Sequence, residues 1–92
     1  MRAKNISRYT YKKTAFQGWR LAITRNGHTF VKYFGDRHFE GYRNSFKYAI
    51  EVRDAILHEL AQPGADPAVI FRAAREWLHG TENEDADADE TP

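Results

Sequence analysis

The 92-residue chain has no cysteine, a single methionine and three prolines. Without thiols it has neither a disulfide framework nor a thiolate metal site, and it fits a reducing compartment. No apolar run approaches the roughly 18 residues of a membrane span, and the polar start lacks the apolar stretch of a signal peptide. The expectation is a soluble protein of the cytoplasm. A glycine-rich phosphate loop is also missing, and no nucleophile has an evident partner. The four histidines, at 28, 38, 58 and 79, are scattered, and none pairs with another at metal-ligand spacing. "HEL" at 58–60 lacks the second histidine of a zinc-protease helix. His38 near Asp36 and Glu40 reads as an exposed loop rather than a metal site. Neither catalysis nor a metal or other cofactor is expected.

Hydrophobic residues make up 41% of the chain, enough for one small core. A chain of this size is at most one domain's worth and buries only about 60–70% of its unfolded surface. The net charge of +1 conceals a strong asymmetry. Residues 1–47 hold eleven lysines and arginines against Asp36 and Glu40, whereas residues 81–92 hold six carboxylates and no base. A basic body with an acidic appendage points to an anionic partner.

The pattern along the chain predicts an α+β fold: a three-stranded antiparallel sheet packed on one helix, followed by a second helix and a disordered acidic tail. Residues 5–13, "NISRYTYKK", alternate as a first strand, and "TAFQG" at 14–18 reads as a turn or loop. Residues 19–25 form a second strand with Trp19, Leu21 and Ile23 on one face and Arg20, Ala22 and Thr24 on the other. Asn26-Gly27 is the signature of a two-residue type I′ turn, and residues 28–34 return as a third strand. That turn fixes the register from Arg25 opposite His28 to Trp19 opposite Phe34, with Phe30 and Phe34 buried and Thr29, Val31 and Tyr33 on the open side.

Asn44 or Ser45 is the expected cap of a helix running to about residue 61, with Phe46, Ala49, Ile50, Ile56, Leu57 and Leu60 toward the sheet. Arg53 falls within that stripe and is read as structural, lying along the core edge against an aromatic ring or a carboxylate. Asp66 and Pro67 open a second helix, ended near residue 79 by Gly80. Ile70, Ala74, Trp77 and Leu78 are expected to pack it on the first helix, with Phe71 and Val69 at the margin. The margin either widens the apolar face or offers a homodimer seam. "TENEDADADETP" has no large apolar residue to offset ordering entropy and is expected to be disordered. The resulting division is a sheet-plus-helix unit at 1–61, an accessory helix at 62–80 and a tail at 81–92.

The uncovered sheet face carries the functional expectation. With Tyr9 and Tyr11 turned inward, Arg8, Thr10 and Lys12 share that face with Arg20 and Thr24. A small sheet lined in this way fits the major groove of B-form DNA, where arginine makes two hydrogen bonds to guanine and threonine meets a thymine methyl. Lys12, Lys13 and Arg25 at the strand ends would reach phosphates, giving affinity and salt dependence. This expectation requires Arg8, Lys12 and Arg20 to lie side by side.

The segments "ISRYTYKK", "GWRLAITRNGHTFVKYFGD" and "FEGYRNSFKYAIEVRDAIL" resemble the bacterial and phage relatives of the ethylene-response-factor (APETALA-type) DNA-binding domain. They are also similar, in strand order and size, to the arm-site DNA-binding domains of phage and transposon integrases. The resemblance covers residues 6–57 and is anchored by Ile6, Gly18-Trp19, Asn26-Gly27, Phe34 and Arg53-Asp54. It implies three strands in the major groove with the helix behind, and DNA contacts from Arg8, Thr10, Lys12, Arg20, Ala22 and Thr24. Ala22 stands where relatives often have a long polar side chain, and "FEG" at 39–41 replaces a frequent Tyr-Gly-Gly. The full candidate set for DNA adds Lys13, Arg25, His28, Thr29 and Tyr33.

The function expected from these features is non-catalytic binding of double-stranded DNA by a small transcriptional regulator or accessory factor of phage or mobile-element type, with a nucleoid association. Two other readings use the same residues. One is a protein-interaction module docking an acidic partner through Tyr33 and Val31. The other is a single-stranded nucleic-acid binder stacking bases on Tyr33 or on an outward-turned Phe30.

Overall fold

A computed structural model describes residues 1–13 and 15–81 of the chain. Three strands form an antiparallel sheet in the order β1 (Ile6–Tyr11), β2 (Phe16–Arg25) and β3 (His28–Gly35). A single 3₁₀ turn at Asp36–His38 leads to α1 (Tyr42–Leu60), and α2 (Pro67–Thr81) follows. The α+β architecture expected from the sequence is the one observed. No helix among the described residues is long and apolar enough to cross a membrane. The acidic tail expected at 81–92 lies outside them, except for Thr81, the last residue of α2.

The β2–β3 hairpin has the register set by its turn. Asn26 and Gly27 have φ of 52° and 82°, and the pairs run from Arg25–His28 to Trp19–Phe34 and on to Gly18–Gly35. β2 starts three residues earlier than the alternation from Trp19 indicates, because Phe16, Gln17 and Gly18 pair with Tyr11, Thr10 and Tyr9 of β1.

Trp19, Leu21, Ile23, Phe30 and Phe34 form the helix-facing row, joined by Ile6 opposite Leu21. Above them lie Ala49, Val52 and Ile56 of α1 and Phe71, Ala74 and Leu78 of α2. One core therefore joins the sheet and both helices. Phe71 is only 1% exposed, with its ring 5.8 Å from that of Phe30, while Trp77 and Val69 stay largely exposed. The expected roles of Phe71 and Trp77 are thus exchanged. The apolar side of α2 is centred one residue step away, on positions 71, 74 and 78, whose three- and four-residue spacing stacks them on one helical face. Beside Trp77, an apolar groove of about 360 Å³ runs between the helices, lined by Ala55, Ile56, Ile70 and Ala73 among others.

Helix starts are set by different chemistry. At α2, the Asp66 carboxylate accepts a hydrogen bond from the Ala68 amide at 3.1 Å, with Pro67 in the first turn, as the sequence indicates. α1 instead begins at Tyr42, after Gly41 at φ 123°, and has no side-chain cap. Neither Asn44 nor Ser45 caps it. Ser45 is completely buried, and its hydroxyl donates to Asp36 Oδ1 at 2.7 Å and lies 3.1 Å from the Tyr42 carbonyl oxygen. Trp19 Nε1 donates to that same carbonyl at 2.9 Å, tying the central strand to the first turn of α1. Arg53 lies along the core edge, donating to Asp54 and to the Lys4 carbonyl, each at 3.0 Å.

Candidate nucleic-acid interface

Both helices pack on the row of Trp19, Leu21 and Ile23, so the opposite side of the sheet has no described element over it. Its composition follows from register, since residues directly paired across an antiparallel ladder point to the same face. β2 contributes Phe16, Gly18, Arg20, Ala22 and Thr24. β3 contributes Thr29, Val31, Tyr33 and Gly35, and β1 contributes Ser7, Tyr9 and Tyr11.

The β1 row corrects the sequence expectation. Arg8 pairs with Trp19 and Thr10 with Gln17, so both belong to the helix-side row and do not share the open face with Arg20. Lys12 lies beyond the end of β1, in the turn with Lys13. Arg8, Lys12 and Arg20 are therefore not side by side. The expectation turns Tyr9 and Tyr11 inward, which places Arg8, Thr10 and Lys12 on the open face. Ile6, the one large aliphatic residue of β1, takes the core position instead, and period-two alternation turns both tyrosines outward.

Arg8 is engaged in a local network. Its guanidinium makes a two-pronged contact with Asp36, at 3.0 and 2.6 Å, and its Cζ lies 4.9 Å from the centre of the Trp19 ring. Asp36 also receives the Ser45 hydroxyl, so the network links β1, the 3₁₀ turn and α1. A guanidinium held by a carboxylate in this fork geometry is unavailable to a phosphate or base unless the pair breaks.

On the open face the outward aromatic rings create their own shelter. Tyr9, Phe16 and Tyr33 form a triangle with ring centres 5.1–6.2 Å apart. Phe16 is 8% exposed despite being on the uncovered side. Its ring lies over Gly18 and Gly35, so that a β-carbon on either glycine would come within 2.9 or 3.3 Å of it. Gly18 is further required because such a carbon would lie 2.2 Å from the Phe34 carbonyl oxygen.

Past the aromatic end, polar rungs and one apolar rung alternate toward the hairpin. Arg20 sits between Ser7 and Tyr33 on the two neighbouring strands, and then Ala22 faces Val31. Thr24 and Thr29 follow, their hydroxyls 3.2 Å apart. Arg25 and His28 close the end, with Arg25 Nη1 donating to the Thr24 carbonyl at 2.9 Å. Of the candidate set, Arg20, Ala22, Thr24, Thr29 and Tyr33 share the open face. Lys12 and Lys13 flank it at one end, and the Arg25–His28 pair closes the other end of the ladder on the helix-side row, a correction to its expected place in the DNA-contacting set of the open face. Arg8 and Thr10 lie elsewhere.

Sequence reasoning missed Ser7, Tyr9, Tyr11 and Phe16 as members of the face. The signal that identifies them is the parity of Ile6. Among the described residues, no three histidine, aspartate or glutamate side chains gather to hold a metal ion. No family model, curated protein or solved structure matches this chain.

Proposed function

We propose that the chain is a non-catalytic double-stranded DNA-binding protein that presents the open face of its sheet to the major groove, as a small regulator or accessory factor. The observation that carries this reading is the uncovered sheet face with Arg20 on its central strand and hydroxyls on all three strands, with Lys12, Lys13 and Arg25 at the ends of the sheet. Three strands span about 10 Å between the outer backbones, comparable to a groove about 12 Å wide. In the centre of the face, Arg20 supplies the guanidinium fork for a guanine edge, while Ser7, Thr24 and Thr29 supply hydroxyls that suit several base edges. Lys12, Lys13 and Arg25, at the two ends of the sheet, would extend toward phosphates along the groove. Arg8 has no base-reading role in this arrangement. The resemblance to APETALA-type domains supports the same mode of docking.

Titration of the full chain with random-sequence duplex DNA at low salt tests the reading, and absence of binding rejects it. Once a preferred duplex is selected, Arg20→Ala should lose about 1–3 kcal/mol of binding with relaxed specificity at one position. The exposed sides of Tyr9 and Tyr33 support a second reading, in which unpaired bases stack on the aromatic end of the face. Competition between a duplex and its separated strands distinguishes the two.

A further inference from the structure

Between Arg20 and the hairpin turn, the open face has one apolar rung. Ala22 and Val31 are directly opposite each other, and Val31 is among the few large apolar side chains left exposed, at 36%. Single exposed apolar residues are ordinary on protein surfaces. The placement of this one is specific, because the rung on one side is Arg20–Tyr33 and on the other Thr24–Thr29. A cation, an apolar contact and a hydroxyl pair thus follow one another in the middle of the face.

A major groove offers each of these groups a different partner. Guanine presents two acceptors to an arginine, and the thymine C5 methyl is the apolar feature of the base edges. A valine set against the cytosine amino group would instead strip water from a donor without replacing its hydrogen bond. We infer that the Ala22–Val31 rung reads a thymine methyl, with Arg20 on a guanine close by, so that the preferred duplex carries both features in fixed spacing. This rests on the DNA-binding reading above and names the sequence chemistry that the site selects. Adjacent rungs on one face are about 6.8 Å apart along a strand, and base pairs about 3.4 Å apart along the duplex, so the two bases lie within about two base pairs. Charge complementarity supports duplex DNA as the occupant, since eleven of the chain's fourteen lysines and arginines lie within residues 1–47, six of them in the sheet segment 6–35.

The test uses two pools of random-sequence duplexes, one with thymine and one with uracil in its place. Uracil retains every hydrogen-bonding group of thymine and lacks only the methyl. Selection on the full chain should return a motif containing a guanine and a nearby thymine. Replacing that thymine by uracil should weaken binding about three- to fivefold, the worth of one buried methyl group. Val31→Ser should bring the thymine-to-uracil ratio to about one, and Ala22→Ser, a smaller change within the same rung, should lower it. Equal affinity for the thymine and uracil forms at every position, with binding retained, overturns this inference and leaves the DNA-binding reading standing. Failure to bind either pool overturns both.

Discussion

Arg8 and Arg20 lie on adjacent strands, and the register puts their side chains on opposite rows of the sheet. Arg8 is spent on Asp36 and the face of Trp19, whereas Arg20 stays half-buried on the open side. The two should respond differently to the same substitution. Arg8→Ala should lower stability by about 1 kcal/mol, since it removes a partly exposed two-pronged ion pair, while the base preference of the bound duplex stays unchanged. Urea denaturation together with a selection experiment reads both quantities, and a shifted base preference would return Arg8 to the interface. Gly18 presents the sharper steric case. A methyl group there meets the Phe34 carbonyl at 2.2 Å, and backbone atoms of a paired strand have little room to move. Gly18→Ala should therefore cost about 1–3 kcal/mol, seen as a lower urea midpoint at an unchanged slope.

At the scale of elements, the parts readable from sequence were those with a local physical cause. Asn26-Gly27 fixes a two-residue turn, the turn fixes the β2–β3 register, and the register sorts the side chains of residues 19–25 and 28–34 without reference to the rest of the molecule. The same holds at α2, where an aspartate followed by proline defines a helix start. Asp66→Ala should remove about 1 kcal/mol, detectable as a lower melting temperature, and Asp66→Ser should restore most of it. The elements that were misread depend on distant partners. β1 offers two acceptable parities, with either Ile6 or the tyrosines inward, and nothing local to the strand chooses between them. The structure resolves the choice through Gly18 and Gly35, which leave space on the open side for the Phe16 ring and so give Tyr9 and Tyr33 a partner there. Likewise α1 starts where Gly41 breaks the chain and Tyr42 meets Trp19, a contact between residues 23 apart in sequence. The candidate site was accordingly readable along β2 and β3 and not along β1.

Across the whole molecule, the helices and their shared core occupy one side of the sheet and the candidate interface the other. The charge is also divided, but along the sequence: a surplus of nine positive charges in residues 1–47 and six carboxylates within residues 82–92. A chain whose cations bind phosphates gains affinity for every duplex alike, and non-specific binding then competes with the preferred site. Carboxylates joined to the same small molecule compete with phosphates for those cations, at no cost in diffusion. On the proposed DNA-binding reading, such competition would weaken phosphate contacts and spare base contacts from Arg20, and so would act mainly against unselective binding. Deleting residues 82–92 should then raise affinity for random-sequence duplex more than for the selected one. The difference should be largest at low ionic strength and vanish as the Debye length falls to about 3 Å near 1 M salt. Paired salt titrations of the full and shortened chains on both duplexes measure it. An equal gain on both would show that the carboxylates act on overall charge alone, and no gain on either would remove them from DNA binding altogether.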